Sequence, residues 1–221
     1  MKNKKNILLC NGLKEWKILF LSLLDGVFAI DEFENEIYNL VKLESYIGKE
    51  SYSNLISFNY KDSSQFSNIF ESVRDNLEIL DIHKWNLCKI FIDAGLSKEN
   101  SKLIYENNAN LTLPYVLLEI YGGMKIGDVG PGQEQAKSDV CFMKIPIKSD
   151  LDEYWKNSIG EVIQVGFAHH ENIILFMNNE GMMYIYIDLT NTMYLGGDFE
   201  TTMIKLVFGL DYGDLVIPDR S

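Results

Sequence analysis

Along the first third of the chain the apolar positions recur at steps of three and four. Leu13, Trp16, Phe20, Leu23 and Leu24 line one helical face. Asp31-Glu32-Phe33-Glu34 predicts a second helix: Asp31 accepts from the first-turn amides, Glu34 reaches back, and Phe33, Ile37, Leu40 and Val41 form the apolar face. The stretch YSNLISFNYKD fits a short helix or irregular chain equally well. Ser64 is expected to cap a third helix with a stripe of Phe66, Ile69, Phe70, Val73 and Leu77.

Further helices follow. Leu87, Ile90, Phe91 and Ala94 precede the stop Gly95, Ser97 starts the next helix, and Pro114 suits the first turn of another that ends at Gly122-Gly123. From Met124 the period falls to two. DVCFMKIPI, EVIQVGFA, NIILFMN and MMYIYIDL predict strands, with a capped helix from Ser149 to Gly160 between the first two and a final helix from the cap Asp198 to Gly209. The expected fold class is α+β, with helices packed on one face of a mainly antiparallel sheet after a small all-helical domain. No Gly/Ser/Pro linker marks a boundary. The change of pattern sets the domains at 1–82 (helical), 83–212 (α+β) and 213–221 (tail).

Charge narrows the function. The 221 residues hold 20 basic and 32 acidic side chains, a net of −12, which repels a nucleic-acid backbone and suits a basic protein partner. The excess is concentrated after residue 83, where 19 acidic side chains face 11 basic ones. The basic start Lys2, Lys4, Lys5 precedes only four apolar residues before Asn11, short of a signal core of roughly 7–15. No segment approaches the ~20 apolar residues of a membrane span. A cytoplasmic location is expected, and the distant cysteines Cys10, Cys88 and Cys141 fit reduced thiols.

The candidate chemistry is sparse. His169-His170-Glu171 lies between two strand patterns, and adjacent residues of an extended chain point to opposite faces, which opposes chelation of one ion by both histidines. The third histidine, His83, sits in the helical region. GDVGPGQ, Gly127–Gln133, leads into polar chain instead of a helix start, so it reads as a connection and not a phosphate cradle. With no nucleophile elbow, no persuasive nucleophile and base pair, and no cofactor motif, the chain is expected to be a binding protein and not an enzyme. Candidate partner-binding residues are Asp128, Glu134, Asp139, Asp150, Asp152, Glu153 and Trp155, exposed carboxylates of the loop and the capped helix beside one large aromatic. The alternative for each is a solvated charge, and for Trp155 a place in the core.

The order of motifs between Trp85 and Leu210 resembles the SUKH superfamily, most closely its third immunity group. The similarity rests on IFIDAGLSKEN, on LPYVLLEIYGGMKI, and on the run from EVIQVGFA through NEGMMYIY to MYLGGDFETTMIKLVFG, with Gly166, Gly181, Tyr184, Leu195, Gly196, Phe199 and Gly209 at the family's places. Gln164 stands where a proline before Val-Gly is common, and Lys98-Glu99 where a more aromatic or basic turn is usual. EFENEIY and YSNLISFNYK resemble the helical domain of some bacterial immunity proteins. The resemblance implies a bacterial protein that binds and neutralises a cognate toxin, typically a nuclease of a contact-dependent or polymorphic toxin system. Two rivals remain: a regulatory scaffold binding cellular proteins, and a metal-dependent hydrolase using His169, His170 and Glu171.

Overall fold

A computed structural model describes residues 8–9, 13–40, 42–108, 110–131 and 136–219. These described residues fall into two compact units, one within residues 13–86 and one of residues 8–9 with those within 87–219.

The helical unit contains α1 (Glu15–Leu24), α2 (Ile30–Asn39), α3 (Leu43–Ile47), α4 (Lys49–Ser57) and α5 (Phe66–Asp75), and α6 (Ile79–Asp93) begins in it. Its core joins Trp16, Leu19, Phe20 and Leu23 of α1 to Phe33 and Ile37 of α2, Leu55 of α4, and Ile69 and Val73 of α5, the stripes the helical period marks. The caps differ from expectation. Helix α2 is capped at Ala29 and so starts two residues earlier than the Asp31 cap would set it, and Glu32, not Glu34, reaches back to the Ala29 amide at 3.0 Å. Ser64 donates its amide to Asp62 at 3.0 Å, so Asp62 is the capping acceptor, of a 3-10 turn that leads into α5. The ambiguous stretch from Tyr52 is helical as far as Ser57.

In the second unit, α7 (Lys98–Asn107) and α8 (Leu113–Tyr121) precede β1 (Lys125–Ile126) and β2 (Val140–Lys148). Then come α9 (Glu153–Ile159), β3 (Val162–Ala168), β4 (Ile173–Asn178), β5 (Met183–Ile187), β6 (Thr192–Gly197) and α10 (Phe199–Phe208). The six strands form one antiparallel meander in chain order. The β1 and β6 strands were not foreseen. The first is two residues long, and the second carries Gly196 and Gly197, which lack the β-branched signal of a strand.

The pleat divides the sheet into two faces. Phe142, Leu175 and Ile185 lie in register on one, with Phe142 joining Phe91, Tyr121 and Phe199 in an aromatic cluster whose centroids are 4.7–6.0 Å apart. The alternate positions Val162, Phe176, Tyr184 and Met193 form a second core with Leu151 and Trp155, and α9 covers it. The antiparallel sheet covered by helices is therefore present, with α9 on the face opposite the aromatic cluster. The tail continues the sheet: Leu195 donates to Asp214 at 2.8 Å and Val216 to Met193 at 2.9 Å, which closes the β6 edge.

Cys88 is disulfide-bonded, which corrects the expectation of three reduced thiols, and Cys141 is free. Among the described residues no helix is long and apolar enough to cross a membrane.

Candidate functional site

The His169-His170-Glu171 stretch forms the turn between β3 and β4. All three residues are left-handed, with φ of 52°, 54° and 69°, a conformation that costs a side-chain-bearing residue roughly 1–2 kcal/mol. Asp139 holds them there. Its carbonyl accepts from the His169 amide at 3.1 Å, and its carboxylate accepts from the His170 amide at 2.9 Å. Lys125 pairs with the same carboxylate at 3.3 Å. Burial pushes the Asp139 carboxyl up, but the His170 amide and the Lys125 ammonium outweigh it and hold the group below the ordinary carboxylate range. Asp139 is thus 5 % exposed and occupied internally, a correction to its reading as an exposed partner contact. Among the described residues no group of three or more His, Cys, Asp or Glu side chains is arranged to hold a metal ion.

The other acidic candidates do not form one patch. Asp128 is exposed in the loop before β2, and Glu134 lies outside the described residues. Asp150, Asp152 and Glu153 are exposed after β2. Strand β2 runs nine residues between the two groups, about 25 Å at the rise of an extended chain. Only the second group adjoins a built surface.

Trp155 gives that surface its support from below. It is 2 % exposed, which corrects its reading as an exposed anchor: on a seven-residue helix it is the side chain that fills the second core. Its indole N–H donates to Asn191 Oδ1 at 3.0 Å, and the Tyr186 hydroxyl donates to the same oxygen at 3.0 Å. Asn191 Nδ2 then donates to the Tyr154 hydroxyl at 2.8 Å. Asn191 can do this because it sits left-handed (φ 50°) at the end of the 3-10 turn Asp188–Thr190, a conformation asparagine tolerates. One amide therefore ties α9 to the β5–β6 turn.

Carboxylates surround this network. Burial raises the Tyr186 phenol, and the negative charges of Asp188 and Asp152 and the Tyr154 phenol raise it further, so carboxylates of two elements act on this one hydroxyl. Leu189, at the tip of the turn, is 90 % exposed. Asp152, Glu153 and Asp188 beside the hydroxyls of Tyr154 and Tyr186 and one protruding leucine make an acidic, aromatic surface of the kind that receives cationic side chains. Of the residues on this surface, sequence reasoning named Asp152 and Glu153 as candidates and did not name Tyr154, Tyr186, Asp188, Leu189 and Asn191. The available signal was Asn191 itself, a left-handed turn residue in DLTNT between two strand-forming stretches.

Residues 116–209 match the family model described as SUKH-3 immunity protein. No curated protein and no solved structure matches the chain. The matched stretch runs from within α8 to the end of α10, and this part of the chain is similar to the SUKH-3 immunity proteins, which supports a toxin-neutralising role in general.

Proposed function

We propose, from the similarity of residues 116–209 to the SUKH-3 immunity proteins, that this protein neutralises a cognate toxin by binding it, with no bond made or broken, through the acidic and aromatic surface of α9 and the β5–β6 turn. The observation that carries the reading is the hydrogen-bonded Tyr154–Asn191–Tyr186 network, which ties α9 to the β5–β6 turn, with Asp152 exposed at the start of the one and Asp188 exposed in the other. Asp150 and Glu153 extend the surface. The toxin we propose is basic, and a nuclease fits best, because a phosphate-binding cleft is cationic and a chain of net charge −12 would be steered to it. Such steering raises association rates by roughly 10–1,000-fold at low salt. A stable contact of this kind buries about 1,200–2,000 Å² in total. Asp128, on the far side of β2, would lie at the margin of such a footprint or outside it.

The experiment is capture of the partner by the tagged chain in its own cell, followed by stopped-flow association with the purified partner. The expected partner is a basic toxin domain whose association rate falls steeply with salt. The variant Asp152→Lys/Glu153→Lys/Asp188→Lys should associate at least tenfold more slowly at low salt while melting normally. Recovery of a partner that is not a toxin, or an association rate indifferent to the three reversals, would overturn the reading.

A further inference from the structure

The second strand carries a surface of opposite character. Strand β1 is only two residues long and pairs with Val140 and Cys141, and the last backbone bonds from its side join Gly123 and Met124 to Phe142. On the other side, the register with β3 shifts between Phe142 and Ile147, so four residues of β2 stand against the single Val165 of β3. Met143–Pro146 therefore arches off the sheet. Ile145 is 72 % exposed and Ile147 50 % exposed, and Lys144 and Lys148 flank them in the open. No acidic residue occurs from Val140 to Lys148 in a chain that is otherwise strongly acidic.

The charge reverses at once. Lys148 is followed by Ser149, and then Asp150, Asp152 and Glu153 stand exposed. A strip that runs basic and apolar at one end and acidic at the other is complementary to itself when turned end for end. A two-fold axis near Ser149 brings the lysines of each copy to the carboxylates of the other, with Ile145 and Ile147 beside the axis, and a single rotation satisfies both halves. Continuation of the ladder is a poor alternative, because Pro146 lacks an amide hydrogen and Lys144 and Lys148 guard the edge.

We propose that the strip Lys144–Glu153 is an isologous contact between two copies of this chain. Ten residues fall well short of the 20–30 per side of a stable interface of about 800 Å² per partner, so the dimer is weak and forms at high protein concentration. The contact occupies Asp150, Asp152 and Glu153. If toxin binding uses them, a consequence that rests on the reading above, the dimer is a stored form that the toxin dissociates.

The test is sedimentation velocity of the full chain from micromolar to near-millimolar concentration, with two variants: Lys144→Glu/Lys148→Glu and Asp150→Lys/Asp152→Lys/Glu153→Lys. All five side chains are exposed, so both variants should melt like the wild type. The wild type should move from monomer to dimer as concentration rises, each variant alone should stay monomeric, and an equal mixture of the two should recover a dimer containing one of each. A wild type that stays monomeric throughout, a variant that still dimerises alone, or a mixture that stays monomeric would each overturn the proposal. No toxin is present, so the outcome is independent of the proposed function.

Discussion

Asp139 and His170 are 31 positions apart, yet the Asp139 carboxylate accepts the His170 amide at 2.9 Å and fixes the turn between β3 and β4. The bond joins the segment entering β2 to a turn whose three central residues are all left-handed. Replacing Asp139 with Ala takes the charged acceptor from the His170 amide and the partner from Lys125, a loss expected at about 1–3 kcal/mol. Asp139→Asn keeps an acceptor and should lose less. Urea unfolding of the three proteins checks the order.

The same carboxylate has a pH signature. Its folded pKa lies below its ordinary value, so its contribution is complete above the unfolded carboxylate pKa of about 3.9 and disappears as pH falls through the lower folded value. The stability gap between the wild type and Asp139→Asn should therefore be constant from pH 7 to pH 5 and close below about pH 4. A gap that closes near neutrality would instead assign the effect to a histidine.

Strain in the turn gives a prediction of opposite sign. Glu171 has φ 69°, where glycine pays no steric penalty, although glycine also gains freedom in the unfolded chain. Glu171→Gly should raise stability by about 0.5 kcal/mol net, and Glu171→Val, β-branched in the same conformation, should lower it by about 1–2 kcal/mol. Thermal melting of the pair decides whether the left-handed turn is imposed by Asp139 or chosen by its own residues.

Local signals were legible in the sequence and distant partnerships were not. Asp198 accepts from the Thr201 amide at 2.9 Å and Ser97 from that of Asn100 at 3.3 Å, both caps as expected. Gly209 ends α10 with φ 68°. Each is decided within four residues. Asp139 looked like a surface carboxylate because its partners arrive from β1 and from the turn after β3. Trp155 could be assigned to neither surface nor core from EYWKNSI alone, because the residues that bury it lie on four later strands. The acidic candidates were drawn from the loop and from the capped helix, and β2 separates the two groups by its full length.

Gly166 marks a place where two strands admit no side chain. A Cβ there would meet the backbone oxygen of Cys141 at 2.7 Å, and β3 shifts register at this position, so the close approach of β2 and β3 requires glycine. Gly166→Ala forces the strands apart and should cost about 1–3 kcal/mol. Hydrogen exchange would show the damage first in the amides of Cys141 and Phe142.

Trp155 separates the role of the second core from that of the surface above it. Trp155→Ala removes the largest side chain beneath α9 and should lose about 3–5 kcal/mol, releasing the helix and the acidic surface together. Trp155→Phe keeps most of the volume, and Asn191 keeps its bonds to Tyr186 and Tyr154, so the loss should be about 1–2 kcal/mol. Asn191→Gly retains the left-handed turn but deletes the amide that ties Tyr154 to Tyr186. If the network orders the proposed binding surface, Asn191→Gly will weaken partner binding more than Trp155→Phe does, although both melt within a few degrees of the wild type. Equal binding by the two variants would show that the carboxylates act without the tyrosine network.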